Sequence, residues 1–343
     1  MSPVANLAAW LPGIGREIEV APADMHEPGE NELLIETKAI AVQPAEFKIQ
    51  DGVLRFPLKY PAIPGVTFAG IVNKVGLGVT RFKVGDRIVT TGASTVRNDP
   101  RFGAYQRYAL TTQDLTAKIG DVSFEKAAGI SNLYGSVSAL VFHLGLDRPS
   151  ADPNPNNKYK KVLIWGASST FGAYAVQLAA WAGYTVIGVA SPHNANLVEG
   201  LGATYFINRN SPSVVQDLIS LGPFDAVLAA QDSAPDQVII GRVLAGLGGG
   251  RFLTTMGVRE GVKLPPGVSG FFAQFIDDYL NPDNQEFTKW VWWDLIENGL
   301  VNGKISLFPV QTLGGLSKVQ MAWDLLRDGK VSGQKLIINP NMD

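Results

Sequence analysis

From Lys161 onward the chain alternates short apolar runs with helical stretches: KVLIW, FGAYAVQLAAWAG, TVIGVA, NANLVEGLG, YFIN, SVVQDLIS, FDAVLAA, DQVIIGRVLAGLG and RFLTTMG. A strand that is apolar at every position has both faces covered, and the helices between such strands supply the cover. This half of the chain is read as an α/β, doubly wound parallel sheet joined by right-handed crossovers.

The first third follows another pattern. ELLIETKAIAV, FAGIVNKVG, DRIVTTG and YQRYALTT are short β-like runs broken by glycine and proline, which reads as a mostly β domain. Phe124 to Leu146 reads as helix, and DRPSADPNPNNKYK as an exposed connection. After about Asn281 come a tryptophan-rich helix (FTKWVWWDLIENGL), the strand-like ISLFPV, a helix (SKVQMAWDLLRDG) and a final strand, KLIIN. With 343 residues, 46% of them hydrophobic, there is apolar material for two domains.

Composition narrows the partners. A net charge of -2 with scattered Lys and Arg provides no basic stripe for nucleic acid. No run approaches the roughly 20 apolar residues that span a bilayer, and MSPVANLAAWLPG lacks the basic start and long apolar stretch of a secretion signal. The expectation is a cytoplasmic protein with small-molecule partners and neither nucleic acid nor membrane. With no cysteine and only His26, His143 and His193, well separated, no metal site is expected.

VLIWGASSTFGAYAVQLA places Gly166 directly after a strand and Gly172 at the start of a helix. A tight turn there aims backbone N–H groups and the positive helix end at a pyrophosphate, with Gly166, Ala167, Ser168, Ser169, Thr170 and Phe171 as the expected cradle. Ser168 and Ser169 stand where a further glycine is usual, so the motif gains its force from the βαβ series around it. At the end of the second strand, a unit that binds NAD commonly places an acid for the ribose hydroxyls. Here VASPHN is neutral. Ser191, Pro192, His193 and Asn194 form a donor-bearing turn suited to a 2′-phosphate, and Arg209 after the third strand adds a charge. The plainer alternative makes Ser191–Asn194 a turn and helix cap and Arg209 a solvated charge.

Together PAIPGVTFAGIVNKVGLGVTRFKVGDRIV, GAYQRYALTT, SFEKAAGI and LGATYFINRN resemble the medium-chain dehydrogenase/reductase superfamily in its zinc-free, quinone oxidoreductase-like branch. ASPHN and the ending LLRDGKVSGQKLII look more closely like the trans-acting enoyl reductases of fungal polyketide pathways. The resemblance implies a discontinuous GroES-like β-barrel catalytic domain, 1–125 with 286–343, and a Rossmann domain, 126–285, with NADPH as cofactor. Zinc-dependent relatives carry Gly-His-Glu where this chain reads Gly65, Val66 and Thr67.

The same resemblance implies hydride delivery to the β-carbon of an α,β-unsaturated carbonyl or thioester, free or carried by a polyketide synthase partner. In AVQPAEFKIQDG, Gln43 and Glu46 replace the family's Asn and Asp and Lys48 is retained, so Glu46, Phe47 and Lys48 are expected at the nicotinamide end. Ser136 and Tyr134 are the expected hydroxyl contact and proton donor, and Lys48 the polar group for ribose or substrate carbonyl. Gly333, Gln334 and Lys335 match a closing segment that folds over the cofactor. Thr255, Met256 and Gly257, with Ala230 and Gln231, end strands at the edge where ligands bind. Trp290, Trp292 and Trp293 are read as packing. A quinone or free-enone reductase, a redirected redox-neutral enzyme and a non-catalytic NADPH-binding module stay open as alternatives.

Overall fold

The computed structural model describes residues 5–343, so Met1 to Val4 of the N-terminal stretch read above lie outside the described residues. The chain divides into two compact units, one running up to Ser131 and resuming at Tyr279–Asp343, the other Asn132–Asp278.

The first unit begins with a hairpin that the sequence pattern did not reveal, β1 (Asn6–Trp10) antiparallel to β2 (Glu19–Ala23). There follow β3 (Glu32–Ala41), β4 (Thr67–Val75), β5 (Arg87–Thr91), β6 (Tyr108–Thr112) and β7 (Thr116–Lys118). β3 is the hub. It pairs with β4 along most of its length and with β6 through Glu32–Glu36, and its ladder with β4 is interrupted by register shifts. Such irregularities bend a strand and increase its twist, which is how a sheet curls on itself.

Phe124 to Leu146 is not one helix. Phe124–Ala128 is helical, the chain breaks at Gly129 to Asn132, and Leu133–Val137 resumes into wide π-type turns at Ser138–His143. The boundary between the two units falls inside that break.

The second unit holds the parallel sheet: β8 (Lys161–Trp165), β9 (Thr185–Ala190), β10 (Tyr205–Asn208), β11 (Ala226–Ala229), β12 (Gly250–Thr254) and β13 (Val268–Phe272). The order is β10-β9-β8-β11-β12-β13, every neighbour parallel. Strand order reverses between β8 and β11, the switch point at which such sheets bind ligands. Leu163, Trp165, Ile187, Val189, Val227 and Phe252 form the core under the helices Val214–Leu221 and Ala234–Gly246. β13 escaped the sequence reading because VSGFF is only partly buried and carries Gly270, whose absent Cβ would lie 2.8 Å from the Phe252 ring.

The returning segment completes the first unit. ISLFPV is not a strand; the ladder starts as the run ends, in β14 (Val310–Gly314), just after Pro309, whose carbonyl accepts from the Lys335 N–H at 2.8 Å. β15 (Lys335–Ile338) lies between β14 and β3. In the tryptophan-rich stretch Trp292 is fully buried, whereas Trp290 and Trp293 are half-buried and Trp293 Nε1 donates to the Gln113 carbonyl at 3.1 Å. Among the described residues no helix is long and apolar enough to cross a membrane.

Candidate functional site

The carboxyl end of β8 is built around two glycines. Gly166 adopts φ +77°, and a Cβ there would meet the backbone of Gln231 at 2.6 Å. Gly172 lets the helix Thr170–Trp181 approach until its own Cβ would stand 2.2 Å from the Gly166 carbonyl oxygen. Ser169, in the place of a usual glycine, caps the helix: its Oγ accepts from the Gly172 N–H (3.0 Å) and donates to the Gly166 carbonyl (2.8 Å). The N–H groups of Thr170 and Phe171 precede the first intrahelical bonds and point outward at the positive helix end. This turn fits a dinucleotide pyrophosphate, because backbone approach, free donors and helix dipole coincide there.

The end of β9 bends over the same turn. Asn194 Nδ2 donates to Ser168 Oγ at 3.1 Å and lies 3.2 Å from His193 Nε2, with Ser191 half-buried and Pro192 and His193 exposed. The structure thus brings Ser191–Asn194 and the β8 turn together. Arg209 is not a solvated charge. Its Nη2 donates to Asp236 Oδ2 at 2.6 Å, and the guanidinium stands 5.8 Å from the Trp165 ring centroid. Asp236 also receives the N–H and Oγ of Ser233, so its charge is well held. One guanidinium has five N–H donors, and the ion pair fixes the group while leaving others for a ligand.

Ser136 is fully buried, and its hydroxyl lies 2.8 Å from the Phe171 carbonyl and 3.0 Å from that of Asn132. Its single proton is committed to the protein, so the hydroxyl pins the helix Leu133–Val137 against the β8 turn. Tyr134 is half-buried on that helix. Ala230 is buried and its carbonyl accepts from Thr255 Oγ1 at 3.4 Å, joining the ends of β11 and β12.

Beside them is a cluster that sequence reasoning missed. The Asp232 side chain has no solvent exposure. Its Oδ1 accepts from Arg259 Nε (3.0 Å) and Nη2 (2.6 Å), and its Oδ2 from Thr254 Oγ1 (2.7 Å) and Gln237 Nε2 (3.1 Å). The same Gln237 Nε2 donates to the Gly257 carbonyl at 2.9 Å, and its Oε1 accepts from the Arg259 N–H at 2.8 Å. The available signal was an acid directly after an apolar strand, but nothing in its spacing named Arg259 as the partner.

The first unit carries the remaining candidates. Glu46, Phe47 and Lys48 lie on the helix Pro44–Gln50, with Lys48 half-buried. Glu46 is fully buried: its Oε2 accepts from the Gln43 N–H (3.0 Å), Trp323 Nε1 (3.2 Å) and the Tyr105 hydroxyl. Its Oε1 is buried with no hydrogen-bond partner. Burial pushes the carboxyl up to about 7, against the lowering effect of those hydrogen bonds and of Lys335. Lys335, buried on β15, is pushed down to about 8 by its own burial, partly offset by Glu46. Tyr105 and Trp323 were also missed by sequence reasoning; Gly65, at φ +94°, makes room for the Tyr105 ring, 2.8 Å from where its Cβ would be. Gly333 adopts φ +64°, and Gln334 Nε2 donates to Gln311 Oε1. Thr67 Oγ1 donates weakly to the Ser131 carbonyl and accepts from Gln43 Nε2, both at 3.4 Å. Among the described residues no group of three or more His, Cys, Asp and Glu could hold a metal ion.

Residues 29–121 match the family model of the alcohol dehydrogenase GroES-like domain. The trans-enoyl reductase himH of Aspergillus japonicus is 33% identical over 342 residues, covering 98% of each chain. The trans-enoyl reductase RAP2 of Pyricularia oryzae is 27% identical, covering 92% of this chain and 93% of its own. Among solved structures, the CurK enoyl reductase aligns with a TM-score of 0.75 at 19% identity over 97% of this chain and 99% of that one. A quinone oxidoreductase of Pseudomonas syringae pv. Tomato DC3000 aligns with a TM-score of 0.75 at 22% identity over 98% and 100%. These structural likenesses establish the pairing of a GroES-like and a Rossmann fold.

Proposed function

We propose that this chain, which belongs to the zinc-free medium-chain dehydrogenase/reductases in the branch of the fungal trans-enoyl reductases, is an NADPH-dependent enoyl reductase of polyketide assembly. As a member it is an oxidoreductase enzyme. The observation that carries the reading is the β8 turn, where Gly166 and Gly172 bring backbone and helix end together under a neutral β9 loop. A carboxylate in that loop would repel a 2′-phosphate, and its place is taken by Ser191, His193 and Asn194. Arg209, oriented by Asp236, supplies the cation.

Bound there, NADPH supplies a hydride for the electrophilic β-carbon of an enone or enoyl thioester. The chain's own share is orientation and proton supply. Lys48 Nζ steadies the cofactor ribose or the substrate carbonyl oxygen, favouring the charge that develops there. The Tyr134 phenol gives its proton to the α-carbon. Ser136 keeps its own proton on backbone carbonyls and acts by holding its helix against the turn. Ala230, Gln231, Thr255, Met256 and Gly257, at the ends of β11 and β12, are the residues assigned to the nicotinamide end.

The test follows NADPH absorbance with an enoyl thioester, a small free enone and a quinone, each with the purified chain. Turnover is expected on the thioester; oxidation with none of the three would overturn the assignment as a reductase. NADPH should be preferred over NADH by about tenfold or more, equivalent to about 1.4 kcal/mol of phosphate contacts. Arg209→Ala should reduce that ratio, and an unchanged ratio would remove Arg209 from the phosphate site.

A further inference from the structure

Asp232 sits where two walls of the dinucleotide site meet. Immediately before it, Gln231 packs its backbone into the space that Gly166 leaves by having no Cβ. On the other side, Asp232 reaches the end of β12 through Thr254, and the loop beyond it through Arg259. Arg259 Nη2 also donates to the Asp232 carbonyl at 2.8 Å, so side chain and backbone are gripped together. Gln237 closes the circuit by bonding Asp232, the Gly257 carbonyl and the Arg259 N–H at once. The loop from Thr255 to Arg259 turns at Gly257, φ +75°, and is thereby braced at its turn and at its end.

A carboxylate with no solvent exposure is costly unless its lone pairs are met, and here four donors meet them. Removing its charge leaves Arg259 facing a weaker acceptor and releases the loop, while the β8 turn keeps its own bonds through Ser169. The consequence is directional: the end of β12 is disturbed more than the pyrophosphate cradle.

We propose that Asp232, acting through Arg259, Gln237 and Thr254, is a positioning residue that fixes the Thr255–Arg259 loop relative to the dinucleotide turn and so sets how tightly the nicotinamide half of the cofactor is held. This rests on the cofactor reading above. Asp232 touches no ligand itself; the loop does.

The experiment compares calorimetric Kd values for NADPH and for 2′-phospho-ADP-ribose, the same molecule without its nicotinamide, in wild type, Asp232→Asn and Arg259→Lys. Asp232→Asn is expected to weaken NADPH by about tenfold while leaving 2′-phospho-ADP-ribose within about twofold. Arg259→Lys keeps the charge but loses the two-pronged grip, and should fall between wild type and Asp232→Asn. It also carries the test alone if the asparagine variant does not fold. Equal weakening of both ligands, or an unchanged NADPH Kd, would overturn the proposal, since a purely structural role has no reason to distinguish the two halves. Should wild type prefer NADH, NADH and ADP-ribose take the place of the phosphorylated pair. Failure of wild type to bind either dinucleotide would instead remove the cofactor reading beneath it.

Discussion

Glu46 shows how a single residue can be legible in type and illegible in state. Its place in AVQPAEFKIQDG marked it for the site, yet the sequence contains nothing to say that Tyr105 and Trp323 converge on one carboxyl oxygen while the other has no partner. Because burial raises the folded carboxyl from 4.5 to about 7, its contribution to stability is full below about pH 4.5 and is lost as pH rises through about 7. Lys335, lowered from 10.5 to about 8, runs the other way: its contribution is full above about pH 10.5 and lost as pH falls through about 8. The pair is therefore least favourable between these two folded values. Glu46→Gln keeps an acceptor for Tyr105 and Trp323 but has no charge to bury. Its Tm relative to wild type should rise as pH goes from about 5 to about 7.5, and an offset that stays constant across that range would refute the assignment.

At the scale of the element, the helix Thr170–Trp181 depends on Gly172 for its distance from β8. A Cβ at 2.2 Å from the Gly166 carbonyl oxygen forces helix and turn apart. Gly172→Ala should cost about 1–3 kcal/mol in urea unfolding and abolish NADPH binding. The control is Gly200, at the end of the helix Ala195–Gly200, where a Cβ meets nothing within 4 Å. Gly200→Ala should be neutral or stabilising by about 0.4–1 kcal/mol with binding unchanged. Since alanine is the better helix former, propensity alone would make both substitutions stabilising, and equal damage from both would remove close approach as the reason for glycine at position 172. The helices themselves were visible in the apolar spacing, but their interruptions were not. Phe124 to Leu146 reads as continuous helix, whereas the chain breaks it at Gly129 to Asn132 and widens it to π-type turns at Ser138–His143. Periodicity reports which face is apolar and carries no information on where a chain changes units.

For the whole molecule the decisive fact is that the first unit is completed by the last residues. Leu316, Val319, Ala322, Trp323, Leu336 and Ile338 belong to the same core as Ile35, Ile40 and Phe68. Leaving Ala322 aside, five large apolar side chains at about 1.5–3 kcal/mol or more each are comparable to the stability of a whole domain. Deleting Leu316–Asp343 should therefore abolish slow hydrogen exchange in β3, β4 and β5 while β8, β9 and β11 stay protected; retained protection in β3 would contradict this. The sequence by itself determined the kind of sheet in each part, the glycine turn at Gly166 and Gly172, and the neutral end of β9, because apolar period, glycine placement and a missing acid are local properties. Only the tertiary structure decided which charges are paired and which are buried. Asp232 finds Arg259 27 positions away, and Glu46 meets Trp323 277 positions away. Such partners are chosen by strand order and by the closing of the barrel-like sheet, which bring together segments whose separation along the chain carries no trace of the meeting.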